Sequence, residues 1–302
     1  MARKRFDLRI IGFGLLTVLW SAQAAACINA PATDRRGREM QLEDRYVGDQ
    51  FVAHLTGERA YNDLLAHRDR VVADARRAPD FDHLTDLGAL LILQGRQIEA
   101  VRLFVAMERL FPGRYQTASN LGTALELLGQ DRTALRWIRI GVRRNSESHW
   151  RTEWLHARIL EAKIALAADP KALDGRSIVG VTFENSLLPP LPAHYPPGND
   201  GEPVLPWQLD NALHYQLRER LQFVKPKDPV VANLLNDWAT LNLAGGPVET
   251  AAALYRLSWR YGAPKTPLSV AREREARRLA AQRGRVKSPA FDEPACPICI
   301  PW

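Results

Sequence analysis

The chain has 302 residues, 46% of them hydrophobic and 25% charged, with a formal net charge of +7. These values place it among ordinary globular proteins of one or two domains, not among compositionally biased chains. The basic excess is mild, and part of it sits in the first nine residues, where Arg3, Lys4, Arg5 and Arg9 face only Asp7. With no aromatic–basic recognition motif beside it, that excess gives no reason to expect a nucleic-acid partner.

The basic start leads into the apolar run "IIGFGLLTVLW" (Ile10 to Trp20) and then the small residues "SAQAAAC". Such a run is too short for the roughly 20 residues that span a bilayer. With Ala22-Gln23-Ala24 as a cleavage site, the pattern predicts an export signal over residues 1–26 and a periplasmic or envelope-attached protein. Cys27 follows three alanines, as a lipid-acceptor cysteine does, although Ala24 stands where leucine is usual. Cleavage nearby would instead leave Cys27 an ordinary residue. Residues 27–57 read as an N-terminal extension.

Helical periodicity begins at residues 58–77, where Tyr61, Leu64, Leu65, Val71, Val72 and Ala75 share a face. Two related stretches follow. "DLGALLILQG" (86–95) recurs as "NLGTALELLG" (120–129), 34 positions later. Leu87 and Gly88 correspond to Leu121 and Gly122, Gly95 to Gly129, Ala100 to Ala134, and Phe104 to Ile138. Pro112 closes the first unit, where the second has Ser146. The small residues predict close packing of paired helices, with Gly88 facing Ala100 and with Leu87, Leu91 and Phe104 filling the remaining space. Gly95 and Gly129 read as left-handed helix ends.

In period and in the placing of small and large residues, this stretch resembles the tetratricopeptide-repeat family. The resemblance is clear over residues 81–148, where leucine (Leu91, Leu125) replaces the tyrosine common in the first helix. It implies an all-α, right-handed solenoid of helix hairpins. Residues 58–168 would form the array, with 58–77 as a degenerate leading helix. Residues 147–166 would be a long closing helix carrying Trp150, Trp154, Leu155, Ile159, Leu160 and Ile164 on one side, with His156 where a third unit would want a small residue.

Residues 169–208 read as a linker over the array surface. "SIVGVTF" is a candidate strand, and seven prolines fall between 189 and 206. Residues 209–284 read as a second helical region. Within it, 230–264 resembles a degenerate unit, with Trp238 and Ala239 in the Leu-Gly places, Gly246 at the turn, Ala251 as the small residue and Tyr255 as the aromatic one. Thr266 predicts an N-cap before Pro267. The charged helix after it has a narrow stripe of Leu268, Ala271 and Leu279, interrupted by Glu275, and reads as a solvated cap. Residues 285–302 lack periodicity and read as a mobile tail.

Cys296 and Cys299 form "CPIC". The spacing suits a small disulfide, a thiol-exchange pair or two metal ligands. No helix or βαβ setting follows, and Cys27 is the remaining thiol. The histidines show no i, i+4 pair, and no nucleophile motif or phosphate loop appears. The expectation is therefore a non-enzymatic adaptor with no cofactor, no metal and no small-molecule substrate. By the resemblance, the first helices would line a concave groove through Asp82, Thr85, Ala89, Gln116, Ser119, Thr123, Glu126, Glu153 and Ala157. A segment of another protein would bind there. This lining lacks the lysines and arginines with which family members grip a terminal carboxylate. The second helices carry Arg102, Arg109, Arg132, Arg136, Arg139, Arg143 and Arg144, a face suited to peripheral contact with anionic lipid. Alternative roles are a thiol or metal-handling factor using the CPIC pair and a lipid-anchored assembly factor.

Overall fold

A short β-hairpin opens the described part of the chain. The structure is a computed structural model and describes residues 29–43, 46–57, 62–286 and 296–299. The expected export segment and Cys27 lie outside the described residues. Strands β1 (Asn29–Thr33) and β2 (Glu39–Glu43) pair antiparallel, Asn29 opposite Glu43. Asp34 closes the turn by accepting from the Arg36 and Arg38 backbone amides. Three short helices follow, α1 (Asp49–Thr56), α2 (Asn62–Ala66) and α3 (Arg68–Arg77). The helix expected over 58–77 is thus broken at His67, and its first four residues fall outside the description.

The 34-residue repeat becomes two helix hairpins. The first pairs α4 (Phe81–Leu93) with α5 (Gln97–Leu110), and the second pairs α6 (Tyr115–Leu127) with α7 (Asp131–Arg144). Asp80 caps α4 by accepting from the His83 amide. Gly95 and Gly129 adopt φ of +74° and +73° at the turns, as expected. The helix contact differs from the expected one in detail. A Cβ on Gly88 would lie 2.2 Å from Cζ of Phe104, and one on Gly122 would lie 2.5 Å from Cδ1 of Ile138. Each glycine therefore receives the large residue of the partner helix, not the small one. Phe104 and Ile138 are wholly buried by this insertion, each gain worth about 1.5–3 kcal/mol.

The closing helix is interrupted near its start. Residues Ser148–Arg151 (α8) precede α9 (Glu153–Ala168), and His149, Trp150 and Arg151 all have left-handed φ, from 50° to 64°. The turn swings Trp150 away from the apolar side, to 78% exposure. Both broad faces of α9 are buried, because it is the wall shared by two cores. Leu160 packs with the repeat hairpins, while Leu155 and Ile159 join a larger C-terminal core.

That second core is built from α10 (Pro206–Arg220), α11 (Pro229–Gly245), α12 (Val248–Tyr261) and α13 (Pro267–Ala280). Helices α11 and α12 form the hairpin read from residues 230–264, and Thr266 caps α13 as expected. Residues 169–205 run along this core instead of over the repeat array. "SIVGVTF" forms no strand. Ile178, Val179 and Val181 are buried, and Asn233 of α11 holds the segment by accepting from the Ile178 amide at 3.0 Å and donating to the Arg176 carbonyl at 2.7 Å. Nor is α13 a solvated cap. Arg272 and Glu273 are buried, and the Arg272 guanidinium donates to the Glu184 and Ser186 carbonyls of the wrapping segment.

Both ends of the described chain dock here as well. Glu249 of α12 accepts from the amide and hydroxyl of Thr33, tying down the extension. The mobile-tail expectation does not hold for residues 296–299. Cys296 and Cys299 form a disulfide, and buried Ile298 fits a notch at Gly245 and Gly246, where a Cβ on Gly246 would approach its Cδ1 to 2.7 Å.

Candidate functional site

Residues of α4, α6, α9 and α10 line a cavity of about 150 Å³. Its lining combines the apolar Ala89, Ile92, Leu93, Leu127, Phe223 and Val224 with the polar Thr123, Glu126, Glu153, His156, Tyr215, Glu219 and Arg220. The helical period explains the placing. Glu153 and His156 lie three residues apart on α9, while Gln216, Glu219 and Arg220 project from the last turns of α10.

The charges beside the cavity are organised around two buried carboxylates. Glu126 has three cationic partners. It accepts from Arg220 Nη1 at 2.7 Å, from His156 Nε2 at 2.7 Å and from Lys163 Nζ at 3.1 Å. Asp131 balances Lys163 from behind, at 2.7 Å. Glu153 is less well served. His149 Nδ1 lies 2.5 Å from its Oε1, but His156 Nδ1 stands 3.6 Å from its Oε2, which has no hydrogen-bond partner.

Burial by itself would neutralise these groups, and their mutual attraction prevents it. Desolvation favours the protonated form of Glu126, but the Arg220 and His156 charges and hydrogen bonds hold its carboxyl well below the usual range. Desolvation likewise opposes ionisation of Glu153, yet His149 and His156 keep it down at about 2. For His156, burial disfavours the cation, but Glu126 and Glu153 outweigh it and raise the imidazole to about 9. Burial and the Glu219 charge push the Tyr215 phenol upward, so it remains protonated. His156 is therefore a fixed imidazolium between two carboxylates, a poor general base at neutral pH.

The left-handed turn at α8 orients His149. Left-handed geometry costs about 1–2 kcal/mol per non-glycine residue, so neighbouring contacts must hold it. Asn199 bridges the turn, accepting from the Trp154 amide and donating to the Ser146 carbonyl, both at 2.7 Å. Arg151 pairs with Asp200, and the His149 ring stacks on Tyr215 at 5.4 Å between centroids. The wrapping segment thus positions a side chain of the cavity.

Of the groove residues read from the sequence, Ala89, Thr123, Glu126 and Glu153 meet at this cavity. Asp82 is exposed and apart from it. The Thr85 hydroxyl donates back to the Phe81 carbonyl, and Gln116 is half-buried outside the lining. Ser119 is buried toward α7, where its Oγ would be 2.7 Å from a Cβ on Gly141. Ala157 packs into the hairpin core. The expected lining without lysine or arginine is corrected at this cavity, where Arg220 and His156 bring positive charge. Arg220, Tyr215 and Glu219 were missed because α10 lies outside the repeat. His156, by contrast, announced itself as a large polar residue at a small-residue position. On the basic face, Arg144 is engaged by Glu108 and Arg139 by Glu161, so those two are not free for lipid.

Among the described residues, no group of three or more His, Cys, Asp or Glu side chains is placed to hold a metal ion, and no helix is long and apolar enough to cross a membrane. No known family model matches this chain, and no curated protein is significantly similar to it.

Proposed function

We propose that the protein is an exported, non-catalytic binding adaptor of the cell envelope. In this reading it holds one anchor side chain of a partner segment in the cavity between α4, α6 and α10. The observation that carries the reading is a cavity whose lining joins apolar side chains of α4 and α6 to the buried Glu126, Glu153 and His156. Helix α10 contributes Tyr215, Gln216, Glu219 and Arg220 to the lining. Its Leu209, Ala212, Leu213 and Leu217 are fully buried in the C-terminal core, so it is a permanent part of the site and not a displaceable plug. A long helix would not fit beside it, whereas one inserted side chain would, and a single buried anchor commonly dominates such contacts. Export is supported by the N-terminal sequence pattern, and the Cys296–Cys299 disulfide suits an oxidising compartment.

A photo-crosslinking residue at Thr123, on the cavity wall, tests this against one at Arg102, on the exposed outer face. Expressed in the native envelope, the Thr123 variant should give one discrete adduct and the Arg102 variant none of the same mass. Identical adducts from both positions would overturn the adaptor reading, as would turnover of a small molecule by the purified protein alone.

A further inference from the structure

We infer that the outer face of α5 and α7 lies against an anionic phospholipid surface, held by Arg102, Arg109, Arg132, Arg136 and Arg143. The inference is separate from the cavity, whose lining includes none of these residues. The two helices carry seven arginines and three acidic residues. Each of those acids is already engaged, Glu99 by Arg96 at 2.5 Å, Glu108 by Arg144 at 2.5 Å and Asp131 by Lys163 at 2.7 Å. Arg139 is taken by Glu161. The five remaining arginines are exposed, and none has an ion-pair partner among the described residues. Arg102 feels the charge of Glu99, but Arg96 holds that carboxylate.

The repeat sets their placing. Arg102 and Arg136 are 34 positions apart, and so are Arg109 and Arg143. Equivalent positions of the two second helices turn the same way. They lie opposite the buried Ala100, Phe104 and Met107 of α5 and Ala134, Ile138 and Gly141 of α7. The Arg144–Glu108 bridge ties α7 to α5 at the Arg109 and Arg143 end of the rows.

Charge spread in this way suits a surface better than a point ligand. Arg102 and Arg109 are separated by about 10 Å along α5, and the two rows sit on different helices, so one phosphate cannot engage them together. A bilayer offers negative charge across a plane and requires no matching pattern. Ile98 and Leu110 stand beside the arginines of α5, 58% and 67% exposed. Apolar side chains in a basic face enter the headgroup layer, whereas an acidic polypeptide would leave these two in water.

Co-sedimentation of the full chain with vesicles tests the assignment. One set is phosphatidylcholine alone, and the other is phosphatidylcholine with phosphatidylglycerol. The basic N-terminal residues are the same in every variant, so differences between variants belong to the helix face. The parent should prefer the anionic vesicles, and the preference should fall as salt rises. Arg102→Gln with Arg136→Gln should lower partitioning about fivefold per arginine. Glutamine at all five positions should remove most of the preference while the melting temperature holds. Arg102→Lys and its four counterparts should keep it, and loss there would mean a guanidinium-specific partner and overturn the lipid assignment. Arg139→Gln, whose guanidinium is already engaged, should matter less. A parent that binds both vesicle sets equally, or an anionic preference unchanged by the five glutamines, overturns the assignment. So does a parent that binds poly-glutamate but neither vesicle set, which gives the face to an acidic protein.

Discussion

The repeat hairpins and the C-terminal hairpin solve one packing problem with opposite materials. In α4–α5 and α6–α7, a helix glycine opens a gap and an apolar side chain, Phe104 or Ile138, fills it. In α11–α12, bulky residues stay and their polar tips are tied. Trp238 Nε1 donates to Asp210 at 2.7 Å, and the Tyr255 and Thr240 hydroxyls bond at 2.9 Å. The charges differ in the same way. Beside the hairpins, Glu126 is compensated by three cations. In the C-terminal core, Asp237 is buried with the Ser177 hydroxyl as its hydrogen-bond partner, and desolvation pushes its carboxyl up to about 7. A repeated unit must present similar surfaces to its neighbours, so it packs chiefly through shape, with the Arg144–Glu108 ion pair as an added tie between the two units. A core assembled once can rely on particular hydrogen bonds.

The largest expected effect breaks the shape side of this comparison. Gly122→Leu would drive its side chain into Ile138 and should cost about 3 kcal/mol or more in denaturant unfolding. A variant that melts like the parent would show that the gap is not filled as described.

Next come the two kinds of buried charge, which titrate in different windows. A histidine raised from 6.5 to about 9 stabilises fully below pH 6.5, and that stabilisation is lost as pH rises through 9. The deficit of His156→Gln should therefore be greatest below pH 6.5 and shrink toward 9. Asp237 behaves as a buried neutral acid. The unfolded chain ionises from 3.8 while the folded form resists until about 7, so folding weakens across that interval as pH rises. Asp237→Asn should gain stability relative to the parent over pH 4–7, on the order of 4 kcal/mol in all, and level off above. Thermal melts across pH check both, and a flat difference curve for either variant contradicts its assigned charge state.

The smallest effect concerns the disulfide. Closing so short a loop contributes about 2 kcal/mol at most by chain entropy, so reductant should lower the melting temperature modestly. Complete unfolding on reduction would mean that the notch at Gly245 and Gly246 holds far more of the C-terminal core than its one buried side chain, Ile298, suggests.

Much of the N-terminal half was legible because repetition is a local signal. Leu87-Gly88 and Leu121-Gly122 recur at a fixed interval, and the turns at Gly95 and Gly129 take the expected left-handed form. The break at His149–Arg151 was not legible. The apolar spacing from Trp150 to Ile164 reads as one continuous helix, and the bonds that hold the turn come from Asn199 and Asp200, about fifty positions away. The charged helix α13 misled for a similar reason. Arg272 reads as solvated until the Glu184 and Ser186 carbonyls are brought to it.

Sequence by itself determined the helical class, the two hairpins and the capping of α13, because each follows from residues within one or two turns of one another. Tertiary structure alone decided that the proline-rich stretch wraps the second core, that Ile298 is buried, and that α10 brings Tyr215, Glu219 and Arg220 to the cavity beside α4 and α6. Those outcomes join segments far apart in the chain, where periodicity carries no information and the gain comes from burying apolar surface and pairing charges across the fold.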